Sequence, residues 1–171
     1  LLYGELLRPL DLRAGTQPIM DVEISRDPIN VAAVLGGAFR APDNTLGLFM
    51  TNRTPRPKTG YLRISRREYA LGTGTHEVYS FNPDREGFLG GFRGEDYARK
   101  WRFEGGDILM LRVVEASDTD GDGMSDRWET EYGLNLLDAA DASIDSEGDG
   151  LTNLDEFRYG TNPALEDTDA D

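Results

Sequence analysis

Five carboxylates stand at positions 1, 3, 5, 9 and 12 of the twelve-residue stretch from Asp118 to Glu129: Asp118, Asp120, Asp122, Asp126 and Glu129. Gly123 occupies position 6. This spacing suits a hard divalent cation, which takes about six to eight oxygen ligands at roughly 2.3–2.6 Å. Alternate side chains of a tightly turning loop point inward at such an ion, and glycine at position 6 permits the bend that brings the later ligands round. The carbonyl of Met124 would supply position 7. Glu129 would close the site with two oxygens from the first turn of a following helix.

The pattern recurs 27 residues later. Asp145, Glu147, Asp149, Asn153 and Glu156 take positions 1, 3, 5, 9 and 12, with Gly150 at 6 and the carbonyl of Leu151 at 7. At the same offset Gly121 matches Gly148, Tyr132 matches Tyr159, Gly133 matches Gly160 and Asn135 matches Asn162. Two loops in register predict two Ca2+ sites. A third could begin at Asp167 or Asp169, because the chain ends in DTDAD.

The net charge of −14 is confined to this region. Residues 118–171 carry 17 acidic and 2 basic side chains, whereas residues 1–117 carry 15 acidic and 16 basic. Without a cation the clustered carboxylates repel one another, so the segment is expected to be loose without metal and compact with it. Neither part has the basic excess that nucleic-acid binding needs. No apolar run is long enough to span a membrane. The chain has no cysteine, which excludes disulfides and thiolate metal sites. Leu1 is not an initiator Met, and the ending inside an acidic repeat reads as a processed chain or a fragment.

The elements that must carry these loops are short. Helices are predicted over Asp126–Tyr132 and Asn153–Tyr159, each stopped by a glycine, Gly133 and Gly160. Thr152 suits an N-cap. Trp128, Tyr132, Leu154 and Phe157, with Leu134, Leu136 and Leu137, are expected to form a miniature core. Before Ala116-Ser117 the chain reads as strands: Ile19–Ile24, Asn30–Arg40, Leu46–Thr51, Gly60–Ile64, His76–Phe81, Tyr97–Phe103 and Ile108–Val114. Ala41–Thr45 predicts a hairpin turn, and Glu104–Asp107 another turn. Asn82–Gly94, rich in Gly, Pro and Asp, predicts a long loop. The fold class is therefore mainly β: an antiparallel β-sandwich over 1–117, followed by a small calcium-loop module with short helices over 118–171.

At DTDGDGMSDRWETEYG and EGDGLTNLDEFRYGTNP the chain resembles the thrombospondin type 3-like, EF-hand-like repeats of secreted bacterial proteins. The resemblance implies calcium ligands at the positions named above. Two departures from the pattern are Glu147 at position 3 and the hydroxyl residues Ser125 and Thr152 at position 8, where a paired EF-hand has an apolar residue. Dockerins have similar loops but longer helices. The β region, in LLYGELLRPLDL, GAFRAPDNTLGLFMTNRT and WRFEGGDILMLRVV, is similar to the all-β domain that follows the catalytic barrel in some bacterial glycoside hydrolases.

No constellation for catalysis stands out. Glu95/Asp96 and Asp84/Glu86 are carboxyl pairs in a Gly-rich stretch, where acidic residues are ordinary. His76, the single histidine, has no nucleophile motif near it and reads as a surface or strand-edge residue. Aromatics such as Trp101 and Tyr97 could stack on sugar, but aromatics in sandwiches are more often core. The expectation is a non-catalytic secreted or cell-surface segment in which calcium-stabilised repeats act as a rigid spacer or interaction module. The alternatives are a carbohydrate-binding accessory domain, with polysaccharide as partner, and a subunit of an extracellular filament or surface assembly, with itself or another surface protein as partner.

Overall fold

The structure, a computed structural model, describes residues 5–7, 12–13, 34–82 and 85–166. The strand expected over Ile19–Ile24 and the third acidic repeat lie outside the described residues. Among the described residues nine strands run in chain order: β1 Glu5–Leu7, β2 Leu12–Arg13, β3 Val34–Arg40, β4 Leu46–Asn52, β5 Lys58–Ile64, β6 Thr75–Asn82, β7 Arg85–Arg93, β8 Tyr97–Phe103 and β9 Ile108–Ala116. The helices α1, Asp126–Tyr132, and α2, Asn153–Tyr159, follow, separated by a 3-10 turn at Asp141–Ser143. The expected fold class holds. A six-stranded antiparallel sheet, in the order β1-β3-β4-β9-β6-β7, faces a three-stranded antiparallel sheet, β2-β5-β8.

Alternation builds the core between the sheets. Leu46, Leu48 and Met50 on β4, Val78 on β6, and Leu111 and Val113 on β9 point inward from the larger sheet. Leu62 and Ile64 on β5 and Tyr97 and Phe103 on β8 meet them from the smaller one. Such period-2 burial is what a strand with one wet face requires. The Glu104–Asp107 turn carries the chain from β8 in one sheet to β9 in the other. Buried Asn52 ties that turn down: its side-chain amide donates to the carbonyls of Phe103, 3.2 Å, and Glu104, 3.0 Å.

The Asn82–Gly94 stretch is not a loop. It contains β7, an edge strand paired along its length with β6. Its glycines are there for close approach. A Cβ on Gly91 would lie 2.0 Å from Phe157 Cζ of α2, and one on Gly90 would lie 2.2 Å from the Arg158 carbonyl oxygen. The register between β6 and β7 shifts at Val78/Tyr79, and Gly90 there has φ of +125°. A glycine-bearing bulge thus shapes the strand to receive a helix.

Both helices have the predicted bounds. Each ends on a left-handed glycine, Gly133 with φ 75° and Gly160 with φ 72°. Thr152 caps α2 as expected, its hydroxyl accepting from Asp155 N–H. The second core differs from the expected one. Met124, Trp128, Ala142 and Phe157 are its buried members, with Tyr132, Leu134 and Leu154 at its margin, and Phe88 of β7 joins them. Leu137 is 77% exposed and takes no part. The helices are too short to enclose a core alone, so the sheet supplies one wall.

A methyl group at the contact with α2 should act as overpacking. Gly91→Ala should destabilise the protein by about 1–3 kcal/mol. Gly87→Ala, where the nearest atom to a Cβ is the Ser80 hydroxyl at 3.3 Å, should cost much less. Urea unfolding of the two variants checks this, and equal losses would sink the account.

Candidate metal centres

The two acidic loops share one internal wiring. Asp118 accepts from the N–H groups of Gly121, 2.8 Å, and Gly123, 3.2 Å. Asp145 accepts from Gly148, 2.7 Å, and Gly150, 3.1 Å. Asp122 accepts from Met124 N–H and Asp149 from Leu151 N–H, both at 2.7 Å. The position-1 and position-5 carboxylates therefore wind each loop about itself, and the left-handed glycines Gly121, Gly123, Gly148 and Gly150 permit the turn. Asp118, Asp120 and Asp122 each bring an oxygen within 4.8 Å of the others, as do Asp145, Glu147 and Asp149.

Glu129 brings an oxygen within 4.8 Å of one of Asp122, and Glu156 lies beside the second loop's carboxylates without joining their cluster. Glu129 and Glu156 are fully buried, and neither carboxylate has a hydrogen-bond partner among the described residues. Asp120 Oδ2 and Asp122 Oδ2 in the first loop, and both oxygens of Glu147 in the second, are buried and unpartnered as well. Buried anionic oxygens facing one another are costly unless a cation neutralises them. The donor set is all oxygen, which suits calcium in particular. The acidic groups thus fit a bound Ca2+ in each loop.

The position-9 residues are hydrogen-bonded within their repeats. Asp126 accepts from the backbone N–H, 2.7 Å, and hydroxyl, 2.8 Å, of Thr119. Asn153 accepts from the Ser146 hydroxyl at 3.1 Å and donates to the Asp141 carbonyl at 2.9 Å. Met124 is buried in the second core, and Leu151 is half-buried. At position 8, Ser125 and Thr152 serve as N-caps. No strand pairing joins the two loops among the described residues.

Contacts with the sheet were not legible in the loops themselves. Asp118 Oδ2 accepts from the Thr75 hydroxyl at 2.6 Å and from Arg93 at 2.9 Å. Buried Glu77 on β6 accepts from the Ser125 hydroxyl at 2.6 Å and from Tyr79 at 2.8 Å. Arg127 of α1 donates to the Tyr79 oxygen at 2.8 Å. The first loop and its helix are therefore bonded to β6 and β7 at several points. Sequence reasoning also passed over Asp141, whose counterpart at the 27-residue offset is Thr168. It is buried, and an oxygen of its side chain lies within 4.8 Å of oxygens of Asp122 and Glu129.

Among the described residues, the sandwich supplies no comparable centre. His76 lies on an inner strand rather than at a surface or edge, and it is buried and stacked on Phe92 at 5.1 Å. Burial lowers its pKa. Asp96 pairs with Arg63, and Glu95 lies 3.7 Å from Arg158. Tyr97 is a core residue, which removes it as a sugar platform.

Residues 118–133 and 145–165 match the family profile described as the bacterial TSP3 repeat. The resemblance read in the acidic loops is thereby shown for these segments. TSP3 repeats are calcium-binding and point to an extracellular module. No curated protein matches the chain. One solved structure that it resembles is a putative alpha-N-acetylgalactosaminidase from Bacillus halodurans, with 13% identity and a TM-score of 0.37, over 63% of this chain and 21% of that one. The chain thus spans about a fifth of the length of that protein. Among the described residues, no helix is long and apolar enough to cross a membrane.

Burial, followed by the neighbouring carboxylates, raises Glu129 to about 8, Glu156 to about 7 and Asp122 to about 6. Carboxyls whose folded pKa is raised stabilise the fold at low pH and lose that contribution as pH rises through the folded values. In chelator the melting temperature should therefore fall between about pH 5 and 9. Saturating calcium, which replaces the protons, should suppress the fall. Melts across this range with and without calcium check the sign, and a chelator profile that rises with pH would be the contrary result.

Proposed function

We propose that this chain is a non-catalytic part of an exported protein in which calcium orders two TSP3 repeats and fastens them to the sandwich as one stiff unit. The observation that carries this reading is the pair of fully buried, unpartnered glutamates, Glu129 and Glu156. Each is delivered by the first turn of a helix into a loop lined with further carboxylates. A cation in each loop would offset the repulsion and hold the helix against its loop. The bound ion supplies charge neutralisation and oxygen coordination; the chain supplies the cradle. Asp118, Asp120, Asp122 and Glu129 would hold one ion. Asp145, Glu147, Asp149 and Glu156 would hold the other. Carbonyls of Met124 and Leu151 would contribute from position 7.

The stiffness follows from the far side of the first loop. Thr75 and Arg93 hold Asp118, and Glu77 holds Ser125, so ordering the loop also secures its attachment to β6 and β7. Calcium at the millimolar level found outside cells is sufficient for modules of this affinity class. An extracellular joining or spacing role is the function that this arrangement serves.

Calorimetric titration of the whole chain with calcium should show two ions bound. Glu129→Gln and Glu156→Gln should each weaken one of them. At a calcium concentration of 100 times Kd, each site should add about 2.7 kcal/mol to stability. Absence of saturable heat at millimolar calcium, together with an unchanged melting temperature, would overturn the reading.

A further inference from the structure

The two loops match in their own residues but differ in what lies beside them. After α1 the chain passes through Asn135 and a 3-10 turn that begins at Asp141. Asp141 is 8% exposed. One carboxylate oxygen, Oδ2, accepts from Asn135 N–H at 2.9 Å. The other, Oδ1, is buried and has no hydrogen-bond partner among the described residues. A side-chain oxygen of Asp141 lies within 4.8 Å of oxygens of both Asp122 and Glu129. Glu129 is fully buried, and both of its oxygens are also unpartnered. Three carboxylates, contributed by the loop, by α1 and by the inter-repeat turn, thus converge on one site, with Glu129 and Asp141 buried and Asp122 half-buried.

We propose that Asp141 is a direct ligand of the cation held in the first loop, so that this site is completed from outside its own twelve residues. The proposal rests on the calcium-binding reading above and deepens it. The first ion is then met by five carboxylates, Asp118, Asp120, Asp122, Glu129 and Asp141, against four in the second loop. Ligand charge and rigidity set affinity in such sites. The first site is accordingly the tighter one.

Asp141 also reaches the second repeat. Its backbone carbonyl accepts from Asn153 Nδ2 at 2.9 Å, and Asn153 in turn begins α2. Fixing Asp141 on the first ion therefore fixes the start of the helix that delivers Glu156 to the second.

Calcium titration of the full chain tests this with Asp141→Asn, Asp141→Ala and, as a neighbouring control, Asp138→Asn. Asp138 is exposed, and its side chain accepts from Ala140 N–H just before the same turn. The wild type should show two sites. Both Asp141 variants should weaken the tighter site about tenfold or more, in line with the ligand-charge dependence of such loops, and Asp138→Asn should leave it unchanged. Melting separates ligation from a merely structural role. Asp141→Asn should leave the melting temperature in chelator unchanged or higher, because one repelling charge is gone, and lower it in calcium. Equal losses in both conditions, or two unaltered affinities, would overturn the proposal while leaving calcium binding intact. A wild type that binds no calcium would fail the underlying reading instead.

Discussion

Carboxylates buried against one another are the constraint on which the C-terminal third of this protein depends. Glu129 and Glu156 are each buried without a hydrogen-bond partner among the described residues. An ionised carboxylate in that position is disfavoured strongly enough that it must either keep a proton or meet a cation. The fold does not relieve the conflict by other means. Arg93 is bonded to Asp118 at the sheet side of the first loop, and the loop's backbone N–H groups go to its aspartates rather than to Glu129. The loops are thus prepared in shape and deficient in positive charge.

That deficiency is transmitted to the sandwich because the loop and the sheet share residues. Asp118 is at once a loop-winding group and the acceptor for Thr75 and Arg93. Ser125 caps α1 while donating to Glu77, a buried carboxylate that lies within the larger sheet. Tyr79, held between Glu77 and Arg127, extends the chain of contacts. Networks of this kind are worth most when every member is satisfied. The first repeat is therefore structurally an extension of β6 and β7, even though its composition changes abruptly after Ser117.

Much of this was legible in the residue order. Alternation located β5, and strand-like runs between turn signals located β3, β4, β6, β8 and β9, because each buries one face against the opposite sheet. The capping and stop signals located both helices to the residue, because caps are local chemistry. β7 was missed for a physical reason. Glycine in a strand looks like a loop signal, and the helix that makes glycine necessary lies more than sixty residues away along the chain. Asp141 was hidden by the repeat itself, since a search at a fixed offset finds only residues with a counterpart. His76 reads as polar and exposed, but Phe92 and the Gly74 carbonyl give it a place inside. Long-range partners decided each of these cases.

The notch made by Gly90 and Gly91 has a consequence for where this chain can be divided. The shift from neutral to acidic composition invites a cut after Ser117. Such a cut would strip Phe157 and the Arg158 backbone from the edge strand, leaving β7 bare where it has no side chains of its own to shield it. Phe88 would lose the aromatic partner that now lies 5.8 Å from its ring. The glycine notch and the Phe88 ring would then face water instead of a helix. The compositional border and the cooperative border of this molecule are different places, and an excised sandwich would carry a bared apolar notch cut for a helix it no longer has.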